Sequence, residues 1–233
     1  MPRYARGTIA GVIYHIMHRG NNKQVVFFTE DDYSYFIELI KQAKKNFKVK
    51  IYSYCLMTNH VHILLEPEIT EHLAKFIKFI AQNYTQYINK TYKRTGTFWE
   101  GRYKSCAVSN DIYLFACSRY IEMNPLRAGL AGDPLDYEYS SYHHKVGARK
   151  ENFLDYDPFY LSLGSTDTER HIHYKEEFRK AIPEGEWKSI QEGINRNSVF
   201  GNEKFRNQIE QAIGRKITQK DRGRPRKDKE GDK

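Results

Sequence analysis

Two histidines separated by one residue, His60-Val61-His62, are the first feature of the sequence that could do chemistry. The segment 60–66 (HVHILLE) has the pattern of a strand, in which residues i and i+2 point to the same face. Their Cβ atoms would lie roughly 6–7 Å apart, close enough for two imidazoles to lean toward a common ion. The spacing therefore indicates a metal site, with two ordinary strand histidines as the alternative.

A tyrosine and an asparagine four residues apart, Tyr120 and Asn124, would be neighbours on one face of a helix. A phenol ionises near pH 10 and is a weak nucleophile unless its target is activated. A divalent ion bound to a phosphate supplies that activation, and the amide oxygen of Asn124 could complete the ion's protein ligands. Tyr113, seven residues before Tyr120, lies on the same helix face and is the rival nucleophile.

A second pair of the same form, His171-Ile172-His173, occurs in the charged stretch 168–177 (TERHIHYKEE), which is typical of a helix. On a helix, residues i and i+2 do not face each other. This pair is therefore interpreted as surface residues rather than as a site.

The elements that must position these residues follow the order strand, helix, strand, strand, helix, strand, helix. This order predicts an α+β fold with a ferredoxin-like antiparallel sheet and helices mainly on one face. The last helix should end at Asn124, because Pro125 disfavours the helical conformation in the residue before it. The predicted strands cover residues 11–18, 49–57, 60–66 and 102–108, and the predicted helices cover residues 30–46, 70–92 and 111–124.

Three segments are expected along the chain. Residues 1–132 form the core, and residues 133–213 form a connection and a small helical unit, with helices near 168–181 and 202–213. Residues 214–233 form a basic tail that is predicted to be disordered, since nine of the twenty are Lys or Arg and four are Asp or Glu.

Composition narrows the class of protein. The net charge of +9 favours a polyanionic partner, and the 18 tyrosines and 13 phenylalanines include rings on which unpaired bases could stack. No apolar run approaches the roughly 20 residues of a membrane helix, and the N-terminus lacks a secretory core. The three cysteines form no CxxC pair, which favours reduced thiols in a cytoplasmic protein. Association with the nucleoid is expected alongside a polyanionic partner.

Four segments of the chain resemble those of the single-tyrosine HUH transposases, and most closely the REP-associated tyrosine transposases. The likeness runs in the same order over roughly residues 4 to 132. The segments are 14–22 (YHIMHRGNN), 54–62 (YCLMTNHVH), 98–105 (FWEGRYKS) and 120–129 (YIEMNPLRAG).

This resemblance implies a ferredoxin-like nuclease core in which His60 and His62 bind a divalent metal and Tyr120 is the nucleophile. The third ligand, often glutamine in related insertion-sequence transposases, falls on Asn124, whose reach is one methylene shorter. In such enzymes the tyrosine attacks a single-stranded DNA phosphate, forms a 5′-phosphotyrosine link and frees a 3′-OH. The bond energy is conserved, so the step is reversible and needs no nucleotide cofactor.

Candidate DNA contacts lie near the predicted site and in the tail. Arg19, Asn21, Trp99 and Arg102 are the candidates near the site, with a core position as the alternative for Trp99. The tail segment 222–227 (RGRPRK) resembles an AT-hook, in which Arg222, Arg224 and Arg226 would enter an A·T minor groove. A generic basic tail is the alternative, and either form of binding should depend on salt.

The sequence thus favours a transposase-type endonuclease that acts on hairpin-containing single-stranded DNA with Mg²⁺ or Mn²⁺. Two imidazoles and one amide lack the carboxylates that Mg²⁺ prefers, so Mn²⁺ should bind more tightly. A metal-dependent hydrolase that activates water and a non-catalytic DNA-binding protein are the rival hypotheses. A monomer and a homodimer are both compatible with the sequence.

Overall fold

One mixed sheet of five strands is present in the computed structural model, which describes residues 7–109, 112–180 and 183–217. The strand order is β2-β3-β1-β4-β5, with β5 parallel to β4 and all other neighbours antiparallel. β1 therefore lies at the centre and pairs with β3 on one side and β4 on the other. The strands are β1 (Ile13–Arg19), β2 (Val49–Met57), β3 (His60–Pro67), β4 (Lys104–Val108) and β5 (Val199–Phe200).

Two long helices, α1 (Glu30–Asn46) and α2 (His72–Thr91), cover one face of this sheet. The Asp32 carboxylate accepts the backbone N–H of Thr29 at the start of α1, where an acidic side chain also suits the helix dipole. Phe36 and Ile40 recur at helical spacing and are fully buried against the sheet. Both helices were predicted from this periodicity.

Seven further helices follow in the described part of the chain. Of these, α3 and α8 pack on the opposite face of the sheet, against residues such as Cys55 and Leu64. The helices are α3 (Ile112–Glu122), α4 (Asn124–Arg127), α5 (Tyr142–Lys145), α6 (Pro158–Ser162), α7 (Asp167–Arg179), α8 (Glu184–Arg196) and α9 (Glu203–Ile213).

The predicted α+β, ferredoxin-like arrangement is confirmed, and the structure adds a second helical layer to it. The sequence predicted helices mainly on one face, whereas this sheet is covered on both. The reason is visible in β3, where the five residues from Val61 to Leu65 are all buried. Such a continuous run is typical of a strand buried on both faces rather than on one.

The segment 133–213 is joined to the core rather than set apart from it. β5 extends the sheet at the edge of β4, and α8 lies on the same face as α3. The predicted helices near 168–181 and 202–213 correspond to α7 and α9. The predicted boundary at residue 132 stays a prediction, and the tail from residue 218 onward lies outside the described residues.

None of the helices in the described ranges has the length and apolarity that a membrane span requires.

Candidate active site

The side chains of His60 and His62 lie on the face of the sheet that α3 and α8 cover. Their ring centroids are 4.9 Å apart, so the shared face predicted from the strand spacing is present. The hairpin register places Met57 opposite His60 on β2, and Arg19 opposite His60 on β1. Because directly opposed residues of an antiparallel pair share a face, Arg19 lies on the histidine side of the sheet.

The Nδ1 atom of each histidine is engaged by a neighbour. His60 Nδ1 lies 2.5 Å from the side-chain oxygen of Asn59, to which it donates. His62 Nδ1 lies 2.7 Å from Nε2 of His15, a buried residue of β1 that the sequence analysis did not single out. Neither Nε2 of the pair has a hydrogen-bond partner among the described residues, so each can serve as a ligand atom.

Burial keeps these imidazoles uncharged. It lowers the pKa of His60 to about 4, with a further decrease from the Arg19 guanidinium, and it lowers the pKa of His15 to about 3. Burial also holds the pKa of His62 well below its usual value, with His60, His15 and Arg19 adding to the effect. A neutral imidazole is the form that binds a metal ion.

Tyr120, on α3, is the tyrosine that the fold brings to the histidines. Its ring centroid lies 5.7 Å from that of His15 and 6.0 Å from that of His62. Burial raises the pKa of Tyr120 to about 12, an effect opposed by Arg127 and Arg19. The rival Tyr113 instead packs edge-on against Phe200 of β5, 5.1 Å between centroids.

The Trp187 indole of α8 packs against the Tyr120 ring. The two ring centroids are 4.3 Å apart, and the Arg127 guanidinium lies 4.0 Å from the indole centroid. Only 4% of Tyr120 is exposed as a result. No local pattern predicts this contact, because residues 120 and 187 are far apart along the chain.

Asn124 follows the end of α3 and is partly buried. Its side-chain Nδ2 donates to the carbonyl of Tyr120 at 2.7 Å and more weakly to that of Ile121 at 3.4 Å. The second contact has a clear cause, since Pro125 has no N–H for the Ile121 carbonyl. The amide thus has a local structural role, while its Oδ1 has no donor among the described residues. Its role as a metal ligand stays a prediction.

The helix that carries Tyr120 is braced from behind by a buried polar network. The Glu122 carboxylate accepts from the Ser141 hydroxyl at 2.6 Å and from the Tyr174 hydroxyl of α7 at 2.7 Å. Ser118 is hydrogen-bonded to Ser53 of β2. Burial, the largest influence, raises the pKa of Glu122 to about 7. Three separate parts of the chain therefore hold α3 in place.

The predicted DNA contacts near the site fall in different environments. Arg19 has a buried Nε without a partner and makes no side-chain hydrogen bond or ion pair with any described residue. Asn21 and Arg102 are exposed. Trp99 is buried, stacked on His18 at 4.2 Å, and donates from Nε1 to the Ala81 carbonyl, so it lies in the core. The tail residues Arg222, Arg224 and Arg226 lie outside the described residues.

Residues 8–124, which contain both histidines and Tyr120, match the family described as transposase IS200-like, over half of the chain. The chain belongs to the IS200-like transposase family. The resemblance deduced from the sequence motifs is thereby confirmed.

The chain also resembles individual proteins. The transposase chain is 24% identical over 159 residues to a Haemophilus influenzae protein assigned as a REP-associated tyrosine transposase, covering 64% of this chain and 89% of the relative. A solved REP-associated tyrosine transposase bound to a REP hairpin has the same fold, with a TM-score of 0.56, 17% identity, and coverage of 68% of this chain and 93% of that one. A Deinococcus radiodurans protein assigned as a transposase is more distant, with a TM-score of 0.36, 15% identity, and coverage of 47% and 88%.

Proposed function

We propose that this transposase nicks and rejoins single-stranded DNA through a covalent bond to Tyr120. One observation carries the proposal. The rings of His60, His62 and Tyr120 come from a strand and a later helix and gather on one face of the sheet, with the His62 centroid 4.9 Å from that of His60 and 6.0 Å from that of Tyr120. Two neutral imidazoles beside a phenol supply the groups that a tyrosine nuclease requires.

The reaction exchanges one phosphodiester bond for another. The phenolic oxygen of Tyr120 attacks the phosphorus, the bond from phosphorus to the 3′ oxygen breaks, and the proton lost by the phenol ends on the 3′-OH. The product is a 5′-phosphotyrosine, and a 3′-OH from the same or another end can reverse the step to join strands. No oxidant and no nucleotide hydrolysis is needed.

The donor set fits a divalent metal at its two imidazoles. His60 and His62 would bind it through their free Nε2 atoms, with the Asn124 Oδ1 as the third protein ligand. No group of three or more His, Cys, Asp or Glu side chains in the described ranges is arranged to hold an ion, so the proposed site depends on two imidazoles and an amide. Such an ion supplies charge neutralisation at the phosphate, and Mn²⁺ should bind this donor set more tightly than Mg²⁺.

Two arginines beside Tyr120 supply further positive charge. Arg19 and Arg127 both lower the pKa of the phenol against the effect of burial. Arg19 is the better candidate to hold the scissile phosphate, because its guanidinium has no other partner in the described part of the chain. A guanidinium at this position stabilises both the phenolate and the charge that develops on the phosphate.

The DNA substrate is proposed to be a single strand that contains a hairpin. The relative of the same fold was solved with a REP hairpin, and the net charge of +9 in this chain suits a polyanion. Asn21 and Arg102 are exposed near the histidine end of the sheet and would contact the strand.

A labelling experiment tests the proposal. Single-stranded hairpin DNA, labelled either at its 3′ end or at its 5′ end, is incubated with the protein and Mn²⁺ and run on a denaturing gel. A 5′-phosphotyrosine retains the 3′-labelled fragment on the protein and releases the 5′-labelled fragment. Tyr120→Phe should abolish the adduct, whereas the matched variant Tyr113→Phe should keep it.

Each rival makes a different prediction in the same assay. A hydrolase that activates water gives free 5′-phosphate ends without an adduct. A non-catalytic DNA-binding protein shifts the hairpin on a native gel and cuts neither strand. Survival of the adduct in Tyr120→Phe would show that another residue is the nucleophile.

A further inference from the structure

His15 lies behind the His60–His62 pair and is fully buried in the central strand of the sheet. We infer that His15 is a positioning residue, whose Nε2 accepts the Nδ1–H of His62 and so presents the Nε2 lone pair of His62 to the metal. The inference rests on the proposed metal site and extends it by one residue to which the comparisons assign no role.

The strand register sets this contact. His15 is opposite Leu64 in the β1–β3 pair, two residues along from the Met17–His62 pair and on the same face. The His15 ring therefore reaches diagonally to His62, with 2.7 Å between the two nitrogens and 5.0 Å between the ring centroids. Diagonal neighbours on a sheet face lie within reach of long planar side chains.

The contact between His15 and His62 matters because it determines which nitrogen of His62 carries a proton. Both rings are buried and neutral, so a single proton lies between His15 Nε2 and His62 Nδ1. If His15 donates it, His62 carries its own proton on Nε2 and cannot bind an ion there. If His62 donates it, Nε2 of His62 is a free lone pair. Metal binding therefore selects the second arrangement, and the partner nitrogen of His15 makes it possible.

The other histidine of the pair differs in this respect. His60 Nδ1 faces the side-chain oxygen of Asn59, which accepts but does not donate. His60 is thus fixed in the ligand form before any ion arrives, whereas His62 has two available forms. In the ligand form of His62, the His15 proton moves to Nδ1, a buried atom with no hydrogen-bond partner among the described residues.

Mn²⁺ titration of the full chain tests this assignment by calorimetry, without DNA. Replacing His15 with leucine should weaken Mn²⁺ binding by about 10- to 100-fold, the usual effect of removing a residue that orients a metal ligand. His15→Gln, whose amide oxygen can accept from His62 as Asn59 accepts from His60, should bind within about 3-fold of the unmodified chain. His144→Leu removes another buried histidine, far along the chain in α5, and should leave Mn²⁺ binding unchanged.

The ¹⁵N chemical shifts of the imidazoles give a second readout that a merely structural role would not move. With Zn²⁺ as a diamagnetic probe, the proton should be found on Nδ1 of His62 and on Nδ1 of His15. An unprotonated His15 Nδ1 in the Zn²⁺ form would overturn the assignment.

The outcomes separate this inference from the proposed function. If the unmodified chain fails to bind Mn²⁺, the metal site itself is wrong and the inference falls with it. If the unmodified chain and His15→Leu bind Mn²⁺ equally, the site stands and His15 does not position His62. A His15→Gln variant as weak as His15→Leu would show that acceptance of the His62 proton is not what His15 provides.

Discussion

Two His-x-His sequences occur in this chain, and one of them lies at the candidate active site while the other does not. In β3, the side chains of His60 and His62 share the face of the sheet that α3 and α8 cover, with 4.9 Å between their ring centroids. In α7, His171 is partly buried and His173 is exposed, with its Nδ1 2.5 Å from the Leu163 carbonyl. His171 instead packs against Gly147.

The difference comes from backbone geometry rather than from residue type. A strand repeats every two residues and a helix every 3.6, so the same spacing converges in β3 and diverges in α7. Burial completes the contrast, because it keeps the β3 pair neutral at physiological pH. A sequence motif of two histidines thus indicates a metal site only when its secondary structure is known.

The largest expected effect comes from removing the histidine pair of β3, and removal of the pair of α7 is its control. His60→Ala with His62→Ala should reduce formation of the DNA adduct by at least about 1,000-fold, since a metal contributes several kcal/mol to such a step. His171→Ala with His173→Ala should leave the rate within about 2-fold of the unmodified chain. Adduct formation with Mn²⁺ is the measurement, and equal losses in both variants would remove the distinction between the pairs.

α7 contacts the helix that carries Tyr120 through a residue other than its histidines. Its inner residue Tyr174 donates to Glu122, whose pKa burial raises to about 7. The folded state therefore binds this proton more tightly than the unfolded chain, so the stabilisation is complete below pH 4.5 and is lost as pH rises through 7. Between pH 4.5 and pH 8 the free energy of unfolding of the unmodified chain should fall by about 3 kcal/mol because of Glu122. Glu122→Gln should not show this loss.

Urea unfolding at pH 4.5 and pH 8 measures this change as a difference between the unmodified chain and Glu122→Gln. The matched control is Glu176→Gln, which makes the same substitution on the exposed side of α7 and should follow the unmodified chain at both values. A Glu122→Gln variant with an unchanged pH dependence would mean that Glu122 is ionised in the fold.

The smallest expected effect sharpens the ligand set of the strand pair. Asn124→Ala removes the amide oxygen but leaves both imidazoles, and should weaken Mn²⁺ binding by about 10-fold. Asn124→Gln restores an amide with one more methylene and should recover most of that loss. Calorimetric titration with Mn²⁺ is the measurement, and unchanged affinity in Asn124→Ala would confine Asn124 to its role beside Pro125.

Much of the fold was predictable because its signals are local. The order of strands and helices follows from patterns within single segments. These are the alternation in 49–57 and 60–66, the turn at Thr58-Asn59 and the helical periodicity of α1. The same local rules placed His60 and His62 on one face. They were less accurate at the end of α3, which stops at Glu122, with Asn124 and Pro125 opening the short helix α4.

The remainder depended on contacts between distant residues. His15 reaches His62 through the β1–β3 register, which joins residues 47 apart. Trp187 reaches Tyr120 because α8 packs beside α3 on the second face of the sheet, just before β5 pairs with β4. Periodicity and spacing describe residues within one element, so neither contact could be deduced from them.

The indole cover over Tyr120 has a consequence for the order of events during synthesis. The ribosome adds Trp187 67 residues after Tyr120, which takes on the order of several seconds at ordinary rates of translation. Each nascent chain therefore contains both histidines and the tyrosine before the helix that packs over Tyr120 has been made. The time at which Tyr120 becomes buried is set by translation of the segment after residue 183, not by the segment that carries the histidines and Tyr120.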